Sequence, residues 1–322
     1  MNIEDVERLA SGYRTARILH TALALHLFDA VQEGATSTEI ALEAGTDERA
    51  TGLLLNALVS LDLLEKKDGR YHHTRLSREY LTTGGERSRV AGLRHTAQSW
   101  DRWTDLPSIV QTGDLPERES TFENPDRFRT FILAMQEYQQ PHAAAVAEEL
   151  PVEAGARILD CGGGPGTYAR AFARTYPGAT VTLFDLPEAI DIARVLEGNA
   201  SLRYLQGDFF RDDLGGPYDL ILLSNIIHSW SPEENRKLIG RLAQALDPGG
   251  RLMVRDRFLQ ENEVEPRGAV LFSLHMLVSN FRGQCYKVSE VRSWMAAAGL
   301  EPGRYRKIGE HTELVMGTRA GR

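Results

Sequence analysis

The sequence predicts an α/β protein in which a parallel, doubly wound sheet follows a smaller helical domain of the winged-helix type. From about residue 151, short apolar runs alternate with helical patterns, which is typical of a parallel sheet covered by helices. Before that point, helical patterns are followed by a hairpin signal. A chain of 322 residues is long enough for two domains of ordinary size.

The first 85 residues have the helix, helix, hairpin order of a winged helix. Apolar residues at helical spacing occupy 16–31, and Thr46 with the acids behind it favours a second helix start, in TDERATGLLLNALVSLDLL (46–64). Asp68 and Gly69 then separate two short segments, as in a β-hairpin. We therefore predict a winged-helix domain over 1–85.

This winged helix is not expected to bind nucleic acid. Residues 21–80 hold six basic and ten acidic side chains, and the would-be recognition helix at 46–64 has one basic residue. A helix that reads a DNA groove needs a basic face to neutralise phosphates. The net charge of −8 points the same way. Protein–protein packing, and dimerisation in particular, is the better interpretation.

Composition excludes several other classes of protein. The longest apolar runs, such as LILLSNII (220–227), are far shorter than the ~18–20 residues of a membrane span. The N-terminus does not resemble a signal peptide. Two cysteines, Cys161 and Cys285, cannot form a disulfide framework, which favours a cytoplasmic location. No Cys/His spacing is that of a zinc site, and we expect no metal.

The second domain is expected at 151–322, after a helical and irregular bridge at 86–150. Five buried strands are predicted at ARILDC (156–161), TVTLFDL (180–186), LRYLQGD (202–208), YDLILLSN (218–225) and GRLMVRD (250–256). Helices are predicted at 167–176, 188–197, 232–246 and 288–298, and two more strands in hairpin order at 303–319.

The first of these strands leads into a glycine-rich loop, in ILDCGGGPG (158–166). A dinucleotide site would carry a third glycine, whereas here Gly162 and Gly164 are followed by Thr167. Asp160, just before the loop, would repel a pyrophosphate but attract an ammonium group. S-adenosylmethionine (SAM) carries a methionine ammonium and no phosphate. The loop therefore predicts a SAM site.

Two further acids end the next two strands, at the same edge of the sheet. Asp185, with Leu186 beside it, can accept hydrogen bonds from both ribose hydroxyls. Asp208 can receive the adenine amino group, and Phe209 can pack on the ring. The structural alternatives are a tight turn in the glycine loop and a capping role for Asp208.

His228 follows the fourth strand at this edge and is the candidate general base. A phenol with a pKa near 10 needs such a base at neutral pH, and histidine, with an ordinary pKa of about 6.5, suits the task. Ser231 and Glu234 predict a capping box directly after it. His228 is thus expected to be held between a strand end and a helix start.

Five motifs together resemble one known family. LDCGGGPG, LFDLP, GDFF, the H-x-W at 228–230 and DPGGRLMVRD (247–256) are similar to those of the SAM-dependent O-methyltransferases that include the plant caffeate and isoflavone enzymes, the animal hydroxyindole O-methyltransferase and bacterial polyketide-tailoring enzymes. The resemblance covers nearly the whole chain. It implies a Rossmann-like class I SAM-methyltransferase domain with a seven-stranded sheet whose last strand is antiparallel.

The resemblance also implies partners and site residues. It implies a homodimer formed through the N-terminal domain, and a small aromatic or polyketide-like hydroxyl compound as substrate. Asp256 is expected to orient His228, and Ser224 to face the cofactor. The implied substrate pocket, between the N-terminal domains and the sheet, is lined by Met135, Tyr138 and His142 of the bridge and by Met276 and Asn280.

The sequence departs from the family pattern at two positions. Ser229 replaces the aspartate of the usual H-D-W, and Cys285 falls where the family has a second acid near the base. Both departures reduce the acidic support of His228. An enzyme on the same scaffold that uses SAM in hydroxylation, decarboxylation or cyclisation is therefore the alternative to methyl transfer. A winged-helix regulator that senses SAM is the non-enzymatic alternative.

Overall fold

The computed structural model describes residues 1–117, 121–149, 151–196, 198, 201–308 and 312–321. The chain forms two compact units. The first consists of Met1–Gln98 and Pro125–Glu137, and the second of Ser99–Asn124 and Tyr138–Arg322. The segment 86–150, expected as a bridge, is thus divided between the two units.

The first unit contains seven helices and a hairpin before residue 99. They are α1 (Ile3–Ser11), α2 (Tyr13–Ala24), α3 (Leu27–Val31), α4 (Ser37–Ala44), α5 (Glu48–Ser60), β1 (Leu64–Lys67), β2 (Arg70–His73), α6 (Arg75–Tyr80) and α7 (Val90–Gln98). Asp47 caps α5, and Asp68 and Gly69 adopt positive φ in the turn between the two antiparallel strands. This is the predicted winged-helix order.

Four helices follow before the large sheet begins. They are α8 (Trp100–Thr104), α9 (Leu106–Thr112), α10 (Pro125–Gln139) and α11 (Ala143–Glu148). Glu137 is the last residue of α10 that belongs to the first unit. In the described part of the chain, none of the helices has the length and apolar character needed to cross a membrane.

The remaining elements of the second unit build a seven-stranded sheet covered by helices. They are β3 (Arg157–Cys161), α12 (Thr167–Thr175), β4 (Thr180–Asp185), α13 (Pro187–Val195), β5 (Arg203–Gln206), β6 (Tyr218–Ser224), α14 (Pro232–Ala245), β7 (Leu246–Asp256), β8 (Phe258–Leu259), α15 (Arg267–Asn280), β9 (Tyr286–Lys287), α16 (Val288–Ala297), β10 (Leu300–Ile308) and β11 (Thr312–Arg319). The strand order is β10-β11-β7-β6-β3-β4-β5. Within the described strands of this sheet, β11 is antiparallel to both of its neighbours, β10 and β7, and the remaining adjacent pairs are parallel.

The fold class predicted from the sequence is confirmed, with two local differences. The third predicted strand is shorter than expected, because β5 ends at Gln206, and the parallel pair β8–β9 was not predicted. Alternate residues of the central strands pack on opposite faces, so that Leu222 and Leu223 belong to two separate buried clusters. The carboxyl ends of β3, β4, β6 and β7 share one edge, and that edge carries the candidate site.

Candidate active site

The glycine-rich loop after β3 has a backbone that only glycine adopts readily. Gly162, Gly164 and Gly166 have φ values of 67°, 54° and 73°. A Cβ at Gly162 would lie 2.7 Å from Cδ1 of Ile226 and 3.6 Å from Cε1 of Phe209. The loop therefore has no side chains at these three positions, so a ligand can approach its backbone closely.

Asp160 lies beneath this loop and is fully buried. Its Oδ2 accepts a hydrogen bond from the Ala169 N–H at 3.0 Å, which ties the loop to α12. Its Oδ1 is buried and has no hydrogen-bond partner among the residues described. Burial, with a smaller contribution from the nearby Asp185, raises the pKa of Asp160 to about 7. The carboxylate is thus held in a place where a neighbouring cation would stabilise its charge.

Asp185 closes the loop from the end of β4. Its Oδ2 accepts from the Gly164 N–H and its Oδ1 from the Leu186 N–H, both at 2.7 Å. Burial raises the pKa of this carboxyl to about 6. Each oxygen keeps a second lone pair, so the group can still accept from a diol. Leu186, directly before α13, is 36% exposed.

Asp208 lies two residues beyond β5, where it caps a turn. Its Oδ1 accepts from the Phe210 N–H at 2.8 Å, and its own N–H donates to Oδ2 of Asp212 at 2.7 Å. The capping role considered from the sequence is therefore present. Its contact with adenine stays a prediction.

Three aromatic rings form a cluster beside this turn. Phe209 packs edge-on against Phe210 at 4.9 Å and against Trp230 at 5.9 Å between ring centroids. Phe209 also lies next to Gly162 of the glycine loop. The sheet edge thus offers an apolar surface next to the polar groups of Asp160 and Asp185.

Ser224 is buried at the end of β6. Its hydroxyl lies beside that of Tyr168, in the interior of the second unit. Contact between Ser224 and a cofactor stays a prediction.

His228 and Asp256 form a short, buried pair. His228 lies in a 3-10 turn, Ile227–Ser229, directly after β6, and Asp256 ends β7. The distance between Nδ1 of His228 and Oδ1 of Asp256 is 2.7 Å, and the two side chains are 10% and 1% exposed. The carboxylate is the acceptor, so Nδ1 of the neutral imidazole carries the proton and Nε2 has the free lone pair. Nε2 is therefore the nitrogen that can take a proton.

The turn that carries His228 is anchored through its carbonyl groups. Asn235 on α14 donates to the carbonyls of Ile227 and Trp230 at 2.9 and 3.0 Å. Asn280 at the end of α15 donates to the carbonyl of Ser229 at 3.1 Å. The predicted capping box at the start of α14 is also present. The position of the imidazole is thus set by elements on both sides of it.

The predicted substrate-pocket residues fall in different places. Met276 is buried on α15, and the side-chain oxygen of Asn280 accepts from two backbone N–H groups of the following turn. His142 ends a 3-10 turn and Tyr138 is 44% exposed on α10, both in the second unit, whereas Met135 belongs to the first unit. The lining role of these five residues stays a prediction.

An aromatic residue next to the base was missed by the sequence analysis. The Phe272 ring lies edge-on to that of His228, at 4.9 Å and 86°. Phe272 also lies 5.7 Å from His275, which stacks on Trp103 and accepts a hydrogen bond from its Nε1 at 3.2 Å. Phe272 and the predicted Met276 lie, with His275, at the i, i+4 and i+3 spacing of one helix face, and this spacing is the signal that could have revealed Phe272.

Cys285 is buried close to Asp256. Its N–H donates to Oγ of Ser273 at 3.0 Å. Burial, with a smaller contribution from the Asp256 carboxylate, raises the pKa of the Cys285 thiol to about 12. Oδ2 of Asp256 has no hydrogen-bond partner within the described ranges. A neutral thiol is therefore buried next to Asp256.

Among the residues that the structure describes, no three or more His, Cys, Asp or Glu side chains cluster in a way that could hold a metal ion. One edge of the sheet thus carries the His228–Asp256 pair, the glycine-rich loop and three further acids, Asp160, Asp185 and Asp208.

Two family models match the chain, one in its N-terminal part and one in its C-terminal part. Residues 7–83 match an O-methyltransferase dimerisation domain and residues 115–301 match an O-methyltransferase domain. Among curated proteins, the chain is 31% identical over 304 residues to 3-hydroxy-5-methyl-1-naphthoate 3-O-methyltransferase of Streptomyces sahachiroi, covering 90% of this chain and 87% of that one.

Solved structures show the same similarity. Human N-acetylserotonin methyltransferase in complex with SAM matches with a TM-score of 0.89 and 26% identity, over 99% of this chain and 97% of that one. The mitomycin 7-O-methyltransferase MmcR matches with a TM-score of 0.88 and 27% identity, over 98% and 97%. The chain therefore belongs to the SAM-dependent O-methyltransferases that carry an N-terminal dimerisation domain.

Proposed function

We propose that this enzyme methylates a hydroxyl of a small aromatic or polyketide-like molecule, with His228 as general base and Asp256 as its positioning partner. The observation that carries the proposal is the buried 2.7 Å pair between His228 and Asp256 at the carboxyl edge of the sheet. The names of two relatives, a hydroxynaphthoate and a mitomycin O-methyltransferase, support an aromatic or polyketide-like acceptor.

We also propose that the protein acts as a cytoplasmic homodimer. The dimerisation-domain match at 7–83 supports joining through a winged-helix domain at 1–85. In this proposal, 151–322 is the SAM-binding methyltransferase domain and 86–150 is the helical bridge.

The residues at the sheet edge fit SAM. Oδ1 of Asp160 is a buried acceptor whose charge suits an ammonium group, and the backbone of Gly162 carries no side chain that would stand between the loop and a ligand. Asp185 can accept from a ribose diol, and Asp208 with Phe209 suits an adenine ring. SAM, when bound, supplies a methyl group on a sulfonium centre.

His228 can accept the proton of the acceptor hydroxyl at Nε2 because its Nδ1–H is already donated to Asp256. With its proton on Nε2 of His228, the acceptor oxygen would be the nucleophile toward the methyl group that bound SAM would supply. The carboxylate of Asp256 stabilises the imidazolium that forms. Holding the hydroxyl in line with the methyl group contributes further, since positioning alone is worth several kcal/mol.

The first test uses methyl-deuterated SAM with a panel of phenols and aromatic carboxylic acids, analysed by mass spectrometry. We expect a labelled methyl ether together with one equivalent of S-adenosylhomocysteine. SAM binding without labelled product and without S-adenosylhomocysteine, for every acceptor, would favour the non-methylating alternative.

The second test removes the proposed base. His228→Asn should lower kcat by about 10²–10⁴-fold while leaving SAM affinity unchanged, because the base contacts the acceptor and not the cofactor. His26→Asn, at an exposed position of the first unit, is the matched control. A loss of less than tenfold in His228→Asn would show that the histidine is not a general base.

A further inference from the structure

An arginine beside the proposed base has no acidic partner. Arg257 directly follows Asp256, is exposed, and its guanidinium carbon lies 4.1 Å from the centre of the Phe272 ring. Across the described part of the chain, no carboxylate lies within ion-pair distance of its guanidinium. The side chain thus holds its positive charge against an aromatic ring, where cation–π attraction can fix its direction.

The same ring connects this charge with the base. Phe272 lies 4.9 Å from the His228 ring and 4.1 Å from the guanidinium of Arg257. The distance between the guanidinium and the imidazole centre cannot exceed the sum of their two distances from the centre of the Phe272 ring. The guanidinium is therefore within about 9 Å of the imidazole centre. A hydroxy acid with both groups on one aromatic ring can bridge two groups this close, through an inclined hydrogen bond of about 2.8 Å at each end.

The surroundings favour a flat ligand. The ring of Phe272 is followed by His275, and the imidazole of His275 stacks on Trp103 with ring planes 20° apart. Aromatic surfaces of this kind recognise aromatic molecules through offset and edge contacts. The rings of Phe272, His275 and Trp103 therefore form a surface that extends away from His228 and suits an aromatic acceptor.

The charge near the base favours an anionic ligand. Asp256 is the acid hydrogen-bonded to His228, and Cys285 is a neutral thiol whose pKa is raised by burial. The positive charge of Arg257 offsets the negative charge of Asp256, and Glu313, another carboxylate near Cys285, lies 3.8 Å from the ammonium of Lys307. A second acid in place of Cys285 would leave a net negative charge and repel an anion.

We propose that Arg257 binds the carboxylate of an aromatic hydroxy acid and so presents the hydroxyl of that acid to His228. This inference rests on the proposed function and names its substrate class. Arginine suits the role because its planar guanidinium forms two parallel hydrogen bonds to a carboxylate.

The test compares acids with neutral analogues of the same shape. A hydroxynaphthoate and a meta-hydroxybenzoate, each with its carboxamide, are titrated by calorimetry into protein saturated with S-adenosylhomocysteine. We expect at least one acid to bind the wild type about 10- to 100-fold more tightly than its carboxamide, as a charge-assisted hydrogen bond predicts. Arg257→Gln should remove this preference and leave carboxamide affinity within about twofold, since the carboxamide makes no bond that depends on charge.

Two further variants control for charge and for folding. Arg257→Lys should keep part of the preference, because the charge remains but the bidentate geometry is lost. Arg174→Gln, exposed in the last turn of α12 at the opposite end from the glycine loop, removes the same charge and should keep the full preference.

The proposal is overturned if the wild type binds acids and carboxamides equally, if it binds no hydroxyaromatic acid, or if Arg257→Gln keeps the preference. Methyl transfer to neutral phenols with no preference for acids would overturn this inference and leave the proposed function standing. Selective acid binding without methyl transfer would overturn the proposed function and leave the role of Arg257 standing.

Discussion

Replacing Asp256 by asparagine should affect catalysis much less than replacing it by alanine. Oδ1 of Asp256 accepts two hydrogen bonds, from His228 Nδ1–H at 2.7 Å and from the Arg257 N–H at 2.8 Å, while Oδ2 is buried without a described partner. In Asp256→Asn, the amide oxygen must take the Oδ1 position, because the opposite orientation would place the NH₂ group against the Arg257 N–H. His228 then keeps its proton on Nδ1 and its lone pair on Nε2.

The magnitude follows from what each variant removes. A hydrogen bond to a charged group contributes about 1.5–3 kcal/mol and a neutral one about 0.5–1.5 kcal/mol, so asparagine loses about 1–1.5 kcal/mol. That loss corresponds to a decrease in kcat of about 5- to 15-fold. Asp256→Ala leaves His228 without the hydrogen-bond acceptor that fixes its tautomer and orientation, so the loss should approach the about 10²–10⁴-fold value of general-base catalysis.

Initial rates of S-adenosylhomocysteine formation at saturating SAM measure both variants, at a temperature where each is folded. The buried NH₂ group has no partner at the Oδ2 position, so the asparagine variant should also unfold at a lower temperature. In the His228→Asn background, neither change at Asp256 should lower the rate further, because Asp256 acts through the imidazole. An asparagine variant as slow as the alanine variant would refute the reasoning, since it would mean that the imidazole changes its tautomer.

Three other predictions concern proton linkage, packing and thiol reactivity. Because the pKa of Asp160 is raised to about 7, the free protein binds an extra proton below that pH. SAM affinity should therefore fall as the pH decreases from 8 to 5.5, by up to about tenfold per pH unit. An affinity that calorimetry finds independent of pH would contradict the contact between Asp160 and the ammonium group. Gly283→Ala should lower both the unfolding temperature and kcat, because its Cβ would overlap the carbonyl oxygen of His228, whereas Gly268→Ala, where nothing lies within 4 Å, should not. Iodoacetamide at pH 8 should leave Cys285 unmodified in the folded protein, because the thiol is buried and its pKa is raised to about 12; rapid modification, followed by mass spectrometry, would place it at the surface.

Local pattern was enough to predict the fold and the sheet edge. Strands such as YDLILLSN and TVTLFDL are apolar runs flanked by turns and helical patterns, and β6 and β4 occupy 218–224 and 180–185. The Asp68–Gly69 turn was predictable because type I′ hairpin turns need residues that tolerate positive φ. These features depend on residues close together in sequence, so a single chain reveals them.

Contacts between distant segments could not be predicted in this way. Phe272 reaches His228 only because α15 returns across the end of β6, and no local pattern encodes that return. Asp208 was expected at a strand end, yet β5 stops at Gln206, since the chain turns through a cap that Asp208 and Asp212 form between them. The sequence does not distinguish Arg257 from any other surface arginine; only its position over Phe272 in the structure does so.

The anchoring of the turn at residues 227–230 has a consequence for changing this enzyme in the laboratory. Its carbonyl groups accept from Asn235, Asn280 and Tyr286, which come from three separate elements. A library that varies these donors would mostly yield variants with a displaced imidazole. Trp103 and His275 contact each other through their side chains, so randomising those two positions can alter acceptor range while the geometry of the base is retained.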